Sequence, residues 1–418
     1  MTAGPTRYQT ASGLTIIAEQ TPTEAVNFSL WIRAGSAVES KGQNGMAHFL
    51  EHMIFKGTPN LAPGEFERQV EARGGVMNAL TSQDYTCFYC TVAPSDFAAI
   101  APLQIELVLK AQIPETEFER ERQVVLEEIR RAEDNPRHRI FSQTLAAAFP
   151  KSPYGRPILG PAPVIQSLTP EAMRQHHRTH YHAANLTAVV VGNLPPETLI
   201  ERVKAGFAPH LKPTPPPAHL PPWPEEVAIT RAEEVQIYDR RLTQARLIML
   251  WHVPGLSQLE STYALDVLAR ILAHGRTSRL IQSLREQRGL VSSLSARNYT
   301  QAHQGLFLIS AHLQVEHIPA VRDEILRQIQ DLQTQPVPAS QLQQIQRQVA
   351  NQFIFANEAP ASRAGLYGYS EAIAQNLQAG LNYPHRIRAL SPEDIQQATQ
   401  TYLGPRNYRL VTFTPKAT

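Results

Sequence analysis

His48 and His52 stand four residues apart in the stretch His48-Phe49-Leu50-Glu51-His52, with Glu51 beside the second histidine. On a helix, positions four apart share a face, so two imidazoles at this spacing can grip one metal ion. Glu51 falls on the same face, where its carboxylate can take a proton from a water held by that ion. This is hydrolytic chemistry, and it needs the stretch to be helical. The local sequence predicts that: Met46 to Phe55 contains no Pro or Gly, Asn44-Gly45 offers a start, and Gly57-Thr58-Pro59 a stop.

A catalytic zinc takes three protein ligands and keeps one position open. The segment from Pro114 to Asn135 supplies the third. It reads as a long helix, with Thr116 and Glu119 as a capping box and Asp134-Asn135-Pro136 as the stop. Helical phase separates its acids. Arg120, Gln123, Glu127 and Arg131 form a polar stripe suited to solvent. Glu121, Val124, Val125, Glu128 and Ala132 form a second stripe, where glutamates interleave with apolar residues. A carboxylate on a partly buried stripe needs a partner, and a metal is one. Glu128 is the predicted third ligand, with Glu121 two turns earlier as its support.

H-x-x-E-H, followed further along the chain by a helix bearing Glu121 and Glu128, resembles the inverzincins, the pitrilysin-type zinc peptidases whose motif inverts H-E-x-x-H. The likeness is greatest to their short-chain branch, which includes the mitochondrial processing peptidase and its bacterial relatives. It extends over Gly45-Met46-Ala47, Met53-Ile54-Phe55-Lys56-Gly57-Thr58, Gly74-Gly75-Val76-Met77-Asn78-Ala79 and Thr81-Ser82-Gln83-Asp84-Tyr85-Thr86. The resemblance implies Zn2+ on His48, His52 and Glu128, Glu51 as general base, and Glu121 supporting the site. It also implies that an extended peptide substrate pairs with the strand around Asn78 and Ala79. Active relatives carry an Arg and, seven residues later, a Tyr that hold substrate or oxyanion. Here Arg285 is kept, but Ser292 stands at the Tyr position and Tyr299 lies seven residues further on. A serine hydroxyl cannot reach as far as a phenol. The expectation is therefore a zinc-bearing subunit of a hetero-oligomer whose homologous partner supplies an intact Arg/Tyr pair. The alternatives are a self-sufficient homodimer and a non-catalytic, chaperone-like structural subunit.

The chain has 418 residues, 42% of them hydrophobic and 18% charged, with a net charge of +2. That length carries two or three domains with full cores, and the charge gives no reason to expect nucleic acid or an anionic membrane as partner. No apolar run is long enough to span a bilayer, and Met1 to Arg7 lacks a signal-peptide core, which favours the cytoplasm. Cys87 and Cys90 form a C-x-x-C in a stretch rich in aromatic and β-branched residues, read as two small strand residues.

The chain repeats itself. The segment Ser167 to Asn185 aligns without a gap on Ala389 to Asn407 at an offset of 222, and Leu30-Trp31 recurs as Leu250-Trp251 at an offset of 220. In each copy a helix opened by Thr-Pro or Ser-Pro feeds an apolar strand. His176, His177, His180 and His182 are read as a surface cluster, because the second copy holds Ala398, Thr399, Tyr402 and Gly404 in their place. His48 and His52 map near Leu268 and Leu272, so only the first half can hold a metal. The predicted domains are 1–208, binding zinc; a Pro-rich linker, 209–226; and a homologous metal-free half, 227–418, forming a scaffold or substrate-chamber wall. The expected fold is α+β: two homologous α/β-roll domains, each a mainly antiparallel sheet with helices packed on one face.

Overall fold

The computed structural model describes residues 4–210, 226 and 228–415. The chain divides into two compact units. The first comprises Met1–Asp134, Arg156–Trp223 and Ala356–Gly380; the second comprises Asn135–Gly155, Pro224–Phe355 and Leu381–Thr418. Each unit thus contains a segment that the other half of the chain contributes. The predicted Pro-rich linker lies almost wholly outside the described residues.

The first unit is built on a six-stranded sheet of β1 (Thr6–Gln9), β2 (Thr15–Gln20), β3 (Val26–Ile32), β4 (Val76–Thr81), β5 (Thr86–Val92) and β6 (Leu186–Gly192), in the order β1-β2-β6-β3-β5-β4. The second has β7 (Glu233–Tyr238), β8 (Ala245–Pro254), β9 (Val291–Tyr299), β10 (Gln304–Leu313) and β11 (Arg409–Thr414), in the order β7-β11-β8-β10-β9. One pair in each sheet is parallel, β2 with β6 and β7 with β11, and every other pair is antiparallel. Without β1 the two orders coincide, which is the sequence repeat in three dimensions. Both units are mixed α/β, as expected.

Strand alternation sets the main core of the first unit. Val26, Phe28, Leu30 and Ile32 turn one face of β3 into a hydrophobic cluster with Phe49, Leu50 and Met53 of the motif helix and Phe118 and Val125 of the acidic helix. Fully burying a side chain of this size contributes about 1.5–3 kcal/mol relative to exposure. That burial is what presses the two metal-site helices together. Phe49 and Phe118 stack across the contact with centroids 4.5 Å apart.

The opposite face of this sheet is covered too, by the helix Pro360–Gly368, which comes from the second half of the sequence. Its Arg363 reaches the buried Glu19 of β2 through Nε at 2.6 Å, and the Tyr367 hydroxyl donates to the same carboxylate at 2.9 Å. Gly368 lies flat on Trp31: a Cβ there would come within 2.1 Å of the indole. The second unit reciprocates with the helix Pro136–Ala148 from the first half. Arg139 Nε donates to Asp239 at 2.8 Å, and the His252 imidazole donates to the Ala148 carbonyl at 2.8 Å. Asp239 is the counterpart of Glu19 at the offset that relates Leu30-Trp31 to Leu250-Trp251, so the same clamp is built twice.

Two local expectations need correction. The acidic helix runs Glu115–Asp134, so Thr116 lies inside its first turn, and Glu119 binds Arg122 instead of closing a capping box. Val124 is not on the buried stripe; it is 44% exposed, and the buried long side chain of that turn is Arg122, whose guanidinium donates to the carbonyls of Ile165, Gln166 and Leu168. Cys87 and Cys90 sit on β5 as buried free thiols, and burial pushes the Cys90 thiol up to about 12, far from a reactive thiolate. Among the described residues no helix is long and apolar enough to cross a membrane.

Candidate metal centre

The motif helix spans Met46–Ile54. It opens at Gly45, whose φ of +96° suits glycine alone, and Phe55 caps its end. Its first N–H groups are met from outside the helix. Glu39, 5% exposed, accepts from the backbone of Gly45 at 2.9 Å and Ala47 at 2.7 Å and from the Asn44 amide at 3.0 Å. Burial raises the Glu39 pKa to about 7, against the lowering pull of those donors. Nothing in the local sequence flags Glu39.

His48 and His52 project from one face with ring centroids 4.7 Å apart. Both Nε2 atoms point at one oxygen of Glu128, from 3.6 Å for His48 and 3.5 Å for His52. These separations are too long for good hydrogen bonds. They match what a tetrahedral ion imposes: two ligands each about 2.05 Å away are held about 3.3 Å apart. Ligand atoms of His48, His52 and Glu128 all lie within 4.8 Å of one another, and no other group of three His, Cys, Asp or Glu among the described residues does so. Two neutral nitrogens and a carboxylate are the donor set of catalytic zinc, so the residues fit the metal.

The surroundings act on each group differently. Burial, then the neighbouring His52, lowers the His48 pKa to about 3, which keeps its ring neutral and able to donate a lone pair. Its Nδ1 is buried without a hydrogen-bond partner. His52 is held from behind, with Nδ1 2.9 Å from Glu121, whose other oxygen accepts from Lys56 at 2.8 Å. That bond turns the His52 Nε2 toward the ion. Burial works against a charged His52, but the Glu121 hydrogen bond and the nearby carboxylates outweigh it and raise the pKa. For Glu121, burial is outweighed by His52 and Lys56, and its pKa is lowered.

Glu51 is half-buried. Burial raises its pKa, partly opposed by a 2.5 Å hydrogen bond from the Thr81 hydroxyl on β4. A carboxylate whose burial favours the protonated form is suited to accept a proton. Lys56 and Thr81 are the partners that sequence reasoning missed, although both stand inside the stretches that carry the family resemblance.

Asn78 and Ala79 lie on β4, one of the two edge strands of the first sheet, and the Asn78 side chain accepts from the Ala79 N–H at 2.8 Å. Arg285 belongs to the second unit, in the π-helical turn Ile281–Gln287, with its guanidinium on Glu286 at 2.7 and 2.9 Å. Ser292 donates to Gln244 at 3.1 Å, and Tyr299 meets Phe141 edge-on at 6.0 Å. The four-histidine cluster is less superficial than expected: His176 and His177 are buried, and burial is the main cause holding His176 near 3 and His180 near 4. His177 binds the Val108 carbonyl at 2.8 Å, a packing role.

Comparison with known proteins agrees with this geometry. Residues 14–162 match the family described as insulinase (peptidase family M16), and residues 167–349 match the peptidase M16 inactive domain. The chain belongs to peptidase family M16. It is 28% identical over 400 residues to an uncharacterized zinc protease of Streptomyces coelicolor, covering 94% of this chain and 86% of that one. An uncharacterized zinc protease of Mycobacterium tuberculosis is 31% identical over 291 residues, 69% of this chain and 66% of the relative. Among solved structures, a protease from Helicobacter pylori superposes with a TM-score of 0.90 at 25% identity, covering 99% of this chain and 100% of that one. The M16 chain described here is thus a metallopeptidase whose first half carries a His-His-Glu cluster. The family's inactive domain is matched by residues 167–349, most of which lie in the second half.

Proposed function

We propose that this M16 chain is a zinc-dependent endopeptidase acting on unfolded peptides, of the processing-peptidase-like inverzincin branch. Residues 1–208 make up the catalytic half and 227–418 a metal-free scaffold joined to it by the Pro-rich linker, apart from the helices 136–148 and 360–368 that the halves exchange. The observation that carries this reading is the convergence of the two Nε2 atoms and Glu128 at metal-ligand separations.

His48, His52 and Glu128 hold the metal. Bound there, zinc supplies Lewis acidity, which polarises a peptide carbonyl and brings the pKa of water to about 7. Glu51 takes the proton of the attacking water and returns it to the leaving amine. Glu121 accepts from His52 Nδ1 and so keeps Nε2 aimed at the metal. The substrate is an extended peptide that adds as a strand alongside Asn78 and Ala79, since β4 has β5 on one side and, among the described residues, no strand on the other. Arg285 without a Tyr at position 292 supports a division of labour, in which a homologous partner subunit completes the substrate-holding pair.

Metal analysis and peptide mapping test the reading. The wild type should bind about one zinc, His48→Ala/His52→Ala should bind none, and Glu51→Gln should keep the metal while kcat falls about 10²–10⁴-fold. Equal zinc in wild type and the double variant would sink it. The partner proposal predicts weak turnover alone and a large gain on adding an Arg/Tyr-bearing homologue; full activity of the chain alone, unchanged by Arg285→Ala, refutes that part.

A further inference from the structure

The Ser82 N–H donates to the Tyr85 carbonyl at 2.8 Å, which puts 82 and 85 in the hydrogen-bonding phase at the tip of the β4–β5 hairpin, while the Ser82 carbonyl accepts from the Ser36 N–H at 3.0 Å. Val76 faces Thr91 and Thr81 faces Thr86 in the same register. Bonded pairs recur at every second residue of an antiparallel ladder. Residues 76, 78 and 80 therefore spend their backbone groups on β5, while 77, 79 and 81 turn theirs to the open edge. Ala79 agrees with this phase: its N–H goes to the Asn78 side chain and not to β5.

The side chains sort the other way. Val76, Asn78 and Leu80 point to solvent, whereas Met77 and Ala79 pack against the core. Thr81 shares their face, and there its hydroxyl donates to Glu51 at 2.5 Å. One residue thus offers its backbone to an incoming strand and its side chain to the general base.

We propose that Thr81 is a positioning residue that couples peptide pairing on β4 to the aim of the Glu51 carboxylate. The inference rests on the peptidase reading and deepens it. A peptide that bonds to 77, 79 and 81 is fixed in register relative to the residue that holds Glu51 Oε2, so the bond to be cut lies within about two residues, or about 7 Å, of Thr81. The Thr81 hydrogen bond also commits one carboxylate oxygen, leaving the other to handle the proton.

The test uses the full chain loaded with zinc, a fluorogenic unfolded peptide, and anisotropy of the same peptide on zinc-free protein. Thr81→Val keeps the β-branched shape and the backbone but removes the donor; Thr81→Ser keeps the donor. The expected result is a fall in kcat of about tenfold or more for the valine variant, with KM and the zinc-free peptide Kd within about twofold of wild type, unchanged zinc content, and recovery in the serine variant. Equal kcat for Thr81→Val and wild type overturns the coupling while leaving the peptidase reading standing. So does a parallel loss of peptide affinity that serine does not restore, because that marks a purely structural role. A wild-type chain that binds zinc but cleaves no peptide, alone or with an Arg/Tyr-bearing homologue added, defeats both.

Discussion

The helices Met46–Ile54 and Leu259–Ala273 stand in equivalent places beside sheets of matching order, the first against β4 and the second against β9. One presents His48, Glu51 and His52; the other presents Leu268 and Leu272, both wholly buried. The difference extends to the neighbouring asparagines. Asn78 lies at the open edge with its side chain on its own Ala79 N–H, whereas Asn298, its counterpart in the repeat, donates to Asp266 at 2.9 Å. The Tyr383 hydroxyl donates to the same acid at 3.0 Å. Duplication kept the sheet order and the Arg–acid clamps, which hold the fold, and let the metal chemistry diverge. What the two units share is architecture, and what they do not share is the site.

Three experiments bear on that contrast. Transplanting the ligands should fail: Leu268→His/Leu272→His puts two imidazoles where there is no room or partner, and should destabilise the second unit by about 5 kcal/mol or more, with no gain of zinc. Calorimetry with metal analysis reads both, and a stable double variant holding a second zinc would show the helices to be interchangeable. The clamps should behave alike in both units. Arg363→Ala and Arg139→Ala each strand a buried carboxylate, and each should cost about 2–4 kcal/mol in denaturant unfolding; a neutral result at one site would mean the repeat has diverged there as well. The smallest effect belongs to Asp266, whose pKa burial raises from 3.8 to about 6, against the pull of Asn298 and Tyr383. The folded state then binds more protons than the unfolded one between these values, so stability falls as pH rises through that window. Asp266→Asn should remove the slope and gain about 2 kcal/mol at pH 7 after allowance for partial exposure. Parallel pH profiles for variant and wild type would refute it.

The metal helices are legible because their information is local. Spacing within His48–His52 and the Pro/Gly punctuation bound one helix, and helical phase singles out Glu128 and Glu121 on the other. Phase is also where the reading slips. Val124 and Arg122 stand on nearly opposite sides of their helix, and it is the apolar one that is left outside. The carbonyls of Ile165, Gln166 and Leu168 make burial of the arginine possible, and they belong to a distant part of the chain. Thr81 reaches Glu51 from a strand, Lys56 reaches Glu121 from another helix end, and Glu39 meets a helix start from a preceding turn. No periodicity marks such partnerships. The likeness of the two sheets follows from the repeat, but their strand order and the exchange of helices 136–148 and 360–368 do not. Nothing in an amphipathic segment states which of two similar sheets it will cover.

That exchange has a consequence for any attempt to dissect the molecule. A chain severed between residues 210 and 226 yields two pieces that each carry off the other's covering helix. Trp31 and Glu19 would lie bare in one fragment, and Asp239 in the other. Neither piece is expected to behave as a finished domain alone, and mixing the fragments should restore the native form as those helices are traded back.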